Sequence, residues 1–286
     1  MSLPRIVIFG LDGGTIDVIR PLLAAGRLPV LGRLMAEGSH GTLQSTLPPI
    51  TPTGWTSFMT GKYPRSHGLY DFLRFVPGSY ATQAVSAGAH GHHTLWRIVS
   101  EWGMRVIALD VPFTYPPEPV NGCLIAGYGV PTSDGTIFTY PAELRAELQQ
   151  AIGACDPAVM EELPSPRPEL FREWDRILAN RERMSRYLMA RDDWQLFMLV
   201  FGVIDNIQHA LWNYLDPLHP NHYASGGAHF RERIYSYYEQ VDAMMGRLLA
   251  EVGPRCHVVV MSDHGFGSTR PGLFMSSFLV ENGWLR

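Results

Sequence analysis

Apolar residues in this chain gather into short β-branched runs, and stretches with helical spacing separate them. The first run, Arg5–Gly10 (RIVIFG), has the character of a strand buried on both faces of a parallel sheet. It ends in LDGG, which puts Asp12 at the strand's C-terminal end, the edge where open α/β sheets bind ligands. Helical spacing follows at Val18, Leu22 and Leu23 and again at Leu28, Leu31, Leu34 and Met35, with Gly38 as a stop. A Pro-rich stretch, LPPITP, leads into a helix predicted over Thr53–Thr60, with Pro52 near its first turn. Thr94–Trp102 reads as a helix and Arg105–Asp110 as the next strand. From 113 to 168 the chain is rich in Pro and Gly around a helical patch near Pro141–Ile152, and this stretch is expected to be an insertion or cap over the sheet edge. Glu169–Ala190 is helical, Gln195–Gly202 a strand, and about Asp205–Leu215 a helix. Phe230–Val252 is a long amphipathic helix and His257–Ser262 a final buried strand. The alternation predicts an α/β fold with a mostly parallel sheet sandwiched by helices, one domain over residues 1–286.

Composition narrows the classes. With 46% hydrophobic and 17% charged residues, a chain of 286 residues builds a substantial core. A net charge of −4 argues against bulk electrostatic binding of a nucleic-acid polymer. Cys123, Cys155 and Cys256 form no CxxC pair and read as reduced thiols. No signal peptide precedes the first strand and no apolar run is long enough to span a bilayer, so a soluble, cytoplasmic protein without a membrane partner is expected.

Candidate chemistry sits at three strand ends: Asp12 after the first, Asp205 with His209 after LFMLVFGVI, and Asp263–His264 after HVVVMS. The i, i+4 spacing of Asp205 and His209 puts carboxylate and imidazole on one helix face. Each fragment alone has an ordinary role as a cap, a surface pair or a polar turn. Three together at one edge point to a metal site, and carboxylate plus imidazole without thiolate suits zinc, manganese or iron. Thr51, in PPITPTGW, falls at a helix N-terminus, where it is either an N-cap or a hydroxyl beside an anion site. Such a hydroxyl beside a metal can attack phosphorus. Lys62, Arg65 and His67 follow that helix, and Lys62 and His67 are candidate substrate contacts. His90, His92 and His93 read as a surface loop, and Trp55, Trp96, Trp212 and Tyr214 as packing residues rather than a base-stacking platform. The first turn lacks GxGxxG spacing and no Walker GxxxxGK[ST] is present, which speaks against a simple nucleotide-binding fold.

The segments FGLDGGTIDVI, LPPITPTGWTSFMTGKYPRSHGLYDF, VPFTYPPEPVNG, GVIDNIQHALW and MSDHGFG occur in this order. As a set they resemble the alkaline phosphatase superfamily, within it the type I phosphodiesterase/nucleotide pyrophosphatase branch, over essentially the whole chain. The resemblance implies a hydrolase of small phosphate esters, diester or monoester, working through a phospho-Thr51 intermediate. It implies two divalent metal ions, zinc first, with Asp12, Thr51, Asp263 and His264 at one and Asp205 and His209 at the other. Phosphonate hydrolysis, phosphoglycerate mutase-like transfer and a catalytically silent metal or anion binder are the alternatives, while Thr51 in place of Cys or Ser disfavours a sulfatase. Two departures stand out. The family takes a further histidine from downstream of the SDHG turn, so the chain is expected to be a C-terminally shortened form; His219, His222 and His229 are expected to be loop residues rather than substitutes. And Phe72 stands where nucleotide pyrophosphatases have a phosphoryl-contacting asparagine, with Asp71 beside it, so nucleotide specificity is not expected.

Overall fold

The structure is a computed structural model that describes residues 4–79, 81–131, 133, 135–153, 155–156, 168–222, 227–268 and 275–285. The N-terminal apolar run forms β1 (Arg5–Leu11), followed by α1 (Ile16–Ala24), α2 (Pro29–Glu37), α3 (Thr51–Thr60) and the single turn α4 (Pro64–His67). A small hairpin, β2 (Leu73–Phe75) with β3 (Thr82–Ala84), precedes α5 (Leu95–Glu101) and β4 (Val106–Val111). Then come β5 (Gly122–Ala126), β6 (Thr139–Tyr140), α6 (Leu144–Ile152), α7 (Pro168–Arg191), β7 (Leu196–Phe201), α8 (Val203–Leu215), α9 (Gly227–Val252), β8 (Cys256–Met261) and α10 (Met275–Glu281).

The central sheet runs β6-β5-β4-β7-β1-β8. Every pairing in it is parallel except β5 with β6, which is antiparallel. Burial explains why β1, β4 and β7 carry unbroken apolar runs: Val7, Phe9, Leu109, Phe197 and Leu199 lie fully inside, covered on both faces. β8 is an edge strand and alternates between half-buried and exposed residues. Among the described residues no helix is long and apolar enough to cross a membrane.

The strands predicted from sequence match to within a residue or two, as does most of the helix content. The stretch 113–168, expected as an insertion or cap, supplies β5 and β6 to the central sheet. The five-residue apolar run GCLIA is too short to stand out amid prolines and glycines, and parallel pairing with β4 makes it a strand. Residues 157–167 of that stretch lie outside the described residues. α3 begins at Thr51, two residues before the predicted start, because Pro52 sits in its first turn without needing an N–H.

Candidate functional site

Parallel pairing brings the C-terminal ends of β1, β7 and β8 side by side, and each end hands a carboxylate to the same place. Asp12, Asp205 and Asp263 are all buried. One ligand atom from each of Asp12, Asp205 and His264 lies within 4.8 Å of the others. Gly13 holds the first turn open: its φ is +63°, and a Cβ there would stand 2.6 Å from Asp205 Oδ1. The Gly13 N–H donates to Asp263 Oδ1 (3.2 Å), and its carbonyl accepts from Gln208 Nε2 (2.8 Å). Tyr238 on α9 donates to Gln208 Oε1 (3.0 Å) and accepts from the Thr15 N–H, so the turn after β1 is tied to α8 and α9.

Thr51 opens α3 against this cluster. Its N-cap, Ile50, offers no side-chain acceptor, which leaves first-turn N–H groups open to an anion. Thr51 Oγ1 lies 3.2 Å from His264 Nε2. His264 Nδ1 is 2.8 Å from the Gly265 carbonyl, which can only accept, so Nδ1 carries the proton and the Nε2 lone pair faces the site. The same Nε2 is 3.4 Å from Asp263 Oδ2 and 3.8 Å from Asp12 Oδ1. α3 reaches this position through two glycines. Gly10 leaves a notch for the Trp55 ring, and Gly54 lies against the Asp263 side chain.

The electrostatics call for a cation. Asp12 Oδ1, Asp205 Oδ1 and Asp263 Oδ2 are buried with no hydrogen-bond partner among the described residues. Burial first, then the negative charges of Asp263 and Asp205, holds the Asp12 carboxyl well above the usual carboxylate range. Burial likewise pushes Asp263 up to about 7, against the opposing pull of the Gly13 N–H. Buried carboxylates facing one another with orphaned oxygens are stable only when protonated or when a cation sits among them. With an imidazole lone pair beside them and no thiolate, the donor set fits a divalent metal.

The other candidates are dispersed. His209, about half exposed, reaches Asp205 Oδ2 at 3.3 Å and stacks edge-on against Phe266. Lys62 is exposed beyond the C-terminal end of α3, about 15 Å from Thr51 at 1.5 Å per residue. His67 is buried and committed: its Nδ1 accepts from the Leu69 N–H (3.1 Å), so Nε2 donates to Ser57 Oγ (2.9 Å). His92 bonds the Ser66 carbonyl and His93 lies near Glu101, away from the carboxylates. His219 and His222 bond nearby backbone, at Asn221 N–H and Asn213 carbonyl, whereas His229, expected in a loop, lies in the first turn of α9 and packs on Phe230. Trp55, Trp96 and Trp212 are buried packing residues.

A cavity of about 110 Å³ adjoins the cluster, lined by Asp12, Thr51, Asp205 and His209 on one side. Phe72, Tyr128 and Trp174 supply an aromatic wall, and Asp110 and Arg181 also line it. Phe72 is held there by Phe113 and Tyr128, with ring centroids 5.8 and 5.7 Å away. Sequence reasoning missed Asp110 and Arg181; an Asp ending the predicted strand Arg105–Asp110 was the available signal.

A family model described as type I phosphodiesterase / nucleotide pyrophosphatase matches residues 6–286. Among solved structures, the fold is similar to phosphonoacetate hydrolase from Sinorhizobium meliloti 1021 in complex with phosphonoformate, at TM-score 0.64 and 15% identity. It is also similar to the same hydrolase in complex with phosphonoacetate, at TM-score 0.63 and 16% identity. In both cases 99% of this chain is covered but 63% of the other, so the chain spans less than two thirds of those structures. No curated protein matches.

Proposed function

The chain belongs to the type I phosphodiesterase/nucleotide pyrophosphatase family, and on that premise we propose that it is a metal-dependent hydrolase of small phosphate esters with Thr51 as nucleophile. The observation that carries this reading is Thr51 Oγ1 at 3.2 Å from the His264 Nε2 lone pair, beside three buried carboxylates with unpartnered oxygens. Asp12, Asp263 and His264, with Thr51, would hold one divalent ion and Asp205 with His209 a second. Such ions, zinc or else manganese or iron, supply positive charge that neutralises phosphoryl oxygens and acidifies a bound hydroxyl.

The chain's own residues do the rest. Open N–H groups of the first turn of α3 receive phosphoryl oxygens and hold the phosphorus against the Thr51 hydroxyl. Attack forms the Oγ–P bond as the ester P–O bond breaks, and the proton given up by the Thr51 hydroxyl leaves, by way of solvent, on the departing ester oxygen. Water then cleaves phospho-Thr51, returning the hydroxyl and releasing phosphate or a monoester. Aromatic side chains exclude water from the organic half of the substrate. Ligand pockets for drug-sized molecules run to roughly 300 Å³ and more, so a cavity of about 110 Å³ favours a small ester over a nucleotide, as does Phe72 at the place of an asparagine.

The test is release from 4-nitrophenyl phosphate mono- and diesters by the metal-replete chain, with metal content measured in parallel. Thr51→Ala is expected to lower kcat by about 10³-fold or more while the protein keeps bound metal. A trapped peptide carrying Thr51 gains the mass of one phosphoryl group. Folded, metal-loaded protein with no turnover of any ester, or a Thr51→Ala variant as fast as wild type, overturns the assignment.

A further inference from the structure

Two strands from Asp12, across β7, the sheet edge carries a polar feature that the hydrolytic chemistry leaves unused. Arg181 on α7 donates through Nε to Asp110 Oδ2, and through Nη1 to the Asp156 carbonyl at 3.1 Å. Among the described residues its Nη2 has no partner, and neither has Asp110 Oδ1, although both atoms are buried. Both side chains line the cavity shared with Thr51.

The backbone is shaped to place Asp110 there. The β4–β5 register shifts between Leu109 and Val111, a bulge of the kind that re-aims a side chain. Asp110 itself has φ of +57°, a left-handed conformation uncommon outside glycine. Opposite it, a Cβ on Gly127 would fall 2.3 Å from the Asp110 carbonyl oxygen, so glycine is needed for the bulge to close. Most buried polar atoms in native proteins are hydrogen-bonded, so a donor and an acceptor left orphaned together beside a cavity call for a partner.

Charge decides what fits. Arg181 and Asp110 cancel, so a second anion would meet the free lone pair of Asp110 as well as the free N–H of Arg181. An uncharged group that both accepts and donates satisfies the two together. Strands lie about 4.8 Å apart, so the pair stands about 10 Å from the Asp12 strand. Side chains and the phosphoryl group fill part of that separation, which leaves room for a short carbon chain only.

Building on the hydrolase reading, we propose that Asp110 and Arg181 form a specificity site for the organic half of the substrate, hydrogen-bonding a hydroxyl or carboxamide a short carbon chain away from the ester oxygen.

The experiment compares ethyl, 2-hydroxyethyl and carboxymethyl phosphate, each as monoester and as methyl diester, on the metal-replete full chain. Ratios of kcat/KM within one protein are read, because they do not depend on the folded fraction. Wild type is expected to prefer the 2-hydroxyethyl ester to the ethyl ester by about tenfold or more, since a site built for a hydroxyl rejects its absence. Asp110→Asn keeps an acceptor for Nε and unmasks the guanidinium charge. That preference should then fall to about threefold or less, and the carboxymethyl ester should become the best of the three. Arg181→Lys, which loses the forked donors but keeps the charge, should also lower the hydroxyl preference and serves if Asp110→Asn does not fold. Equal kcat/KM for ethyl and 2-hydroxyethyl esters in wild type would mean that the pair holds only a buried water, and would overturn the proposal. A preference unchanged in both variants would overturn it too. Release from none of the esters would sink the hydrolase reading and this inference with it.

Discussion

Gly54→Ala sets two effects of opposite sign against each other. Alanine inside a helix is intrinsically favoured over glycine by about 1 kcal/mol. Yet the added Cβ on α3 would stand 2.8 Å from the Asp263 Cβ and 3.3 Å from both the Asp263 carbonyl oxygen and Oδ2. Carbon atoms pack at about 3.5–4.0 Å, so relief requires a movement of about 1 Å. The Asp263 turn cannot swing freely, since Gly13 N–H and Ser45 Oγ both bond it, the latter at 2.7 Å. Nor can α3 slide back without disturbing Trp55, which is fully buried in the Gly10 notch. Overpacking of this kind costs about 1–3 kcal/mol, so the net change in stability is a loss of about 0–2 kcal/mol. Activity should suffer far more, because displacing Thr51 by about 1 Å from the carboxylate cluster costs on the order of 100-fold in kcat. Calorimetric melting and initial rates on a 4-nitrophenyl ester measure the two effects separately. If kcat stays within about twofold of wild type while Tm rises, helix propensity has won, and the close fit of α3 to the Asp263 turn is not what positions Thr51.

Two further outcomes follow from the charges. Asp12→Asn removes one of three repelling buried carboxylates, so the metal-free variant should melt about 2–4 °C above metal-free wild type. It should also lose the rise in Tm that excess zinc or manganese gives wild type. A variant that melts lower without metal would contradict the crowding described for Asp12, Asp205 and Asp263. Glu147 accepts from Arg191 (2.8 Å) and from the Tyr187 hydroxyl (2.8 Å), and the Arg191 bond is the main cause of its lowered pKa. A depressed carboxyl contributes stability that is present above its unfolded value of 4.5 and lost as pH falls through the folded value. Glu147→Gln should therefore melt below wild type at pH 7 and converge with it at pH 3, as followed by circular dichroism; a gap that widens in acid would refute the assignment.

The metal-type residues were legible because chemistry and fold meet at strand ends. RIVIFG, QLFMLVFG and HVVVMS each announce a buried strand through local composition, and parallel pairing then obliges their C-terminal ends to meet. Asp110 gave a signal only as the last residue of a strand, and its pairing with Arg181 was not legible, because 71 positions separate them and neither motif is local. An Asp at a strand end reads as a cap, and an Arg in the amphipathic α7 reads as a solvated face; only the bulge after Leu109 turns the two toward each other. His67 misled for the opposite reason. Its place behind the nucleophile helix suggested a substrate contact, but burial against Ser57 and Leu69 consumes both ring nitrogens. Lys62 follows the same helix, yet the helix runs away from the site and carries it to the distant end.

The position of β1 also bears on how the chain is made. Its partners in the sheet are β7 and β8, which are made long after it. About 190 residues must be added before Leu196–Phe201 can pair with it; at roughly 5–20 residues per second that is on the order of 10 s or more. For that interval RIVIFGL, with most of its side chains destined for full burial, has no native strand partner. The newborn chain therefore carries a strand-forming apolar segment with both edges unpaired until β7 is made, and the carboxylate cluster can assemble only after that late, long-range pairing.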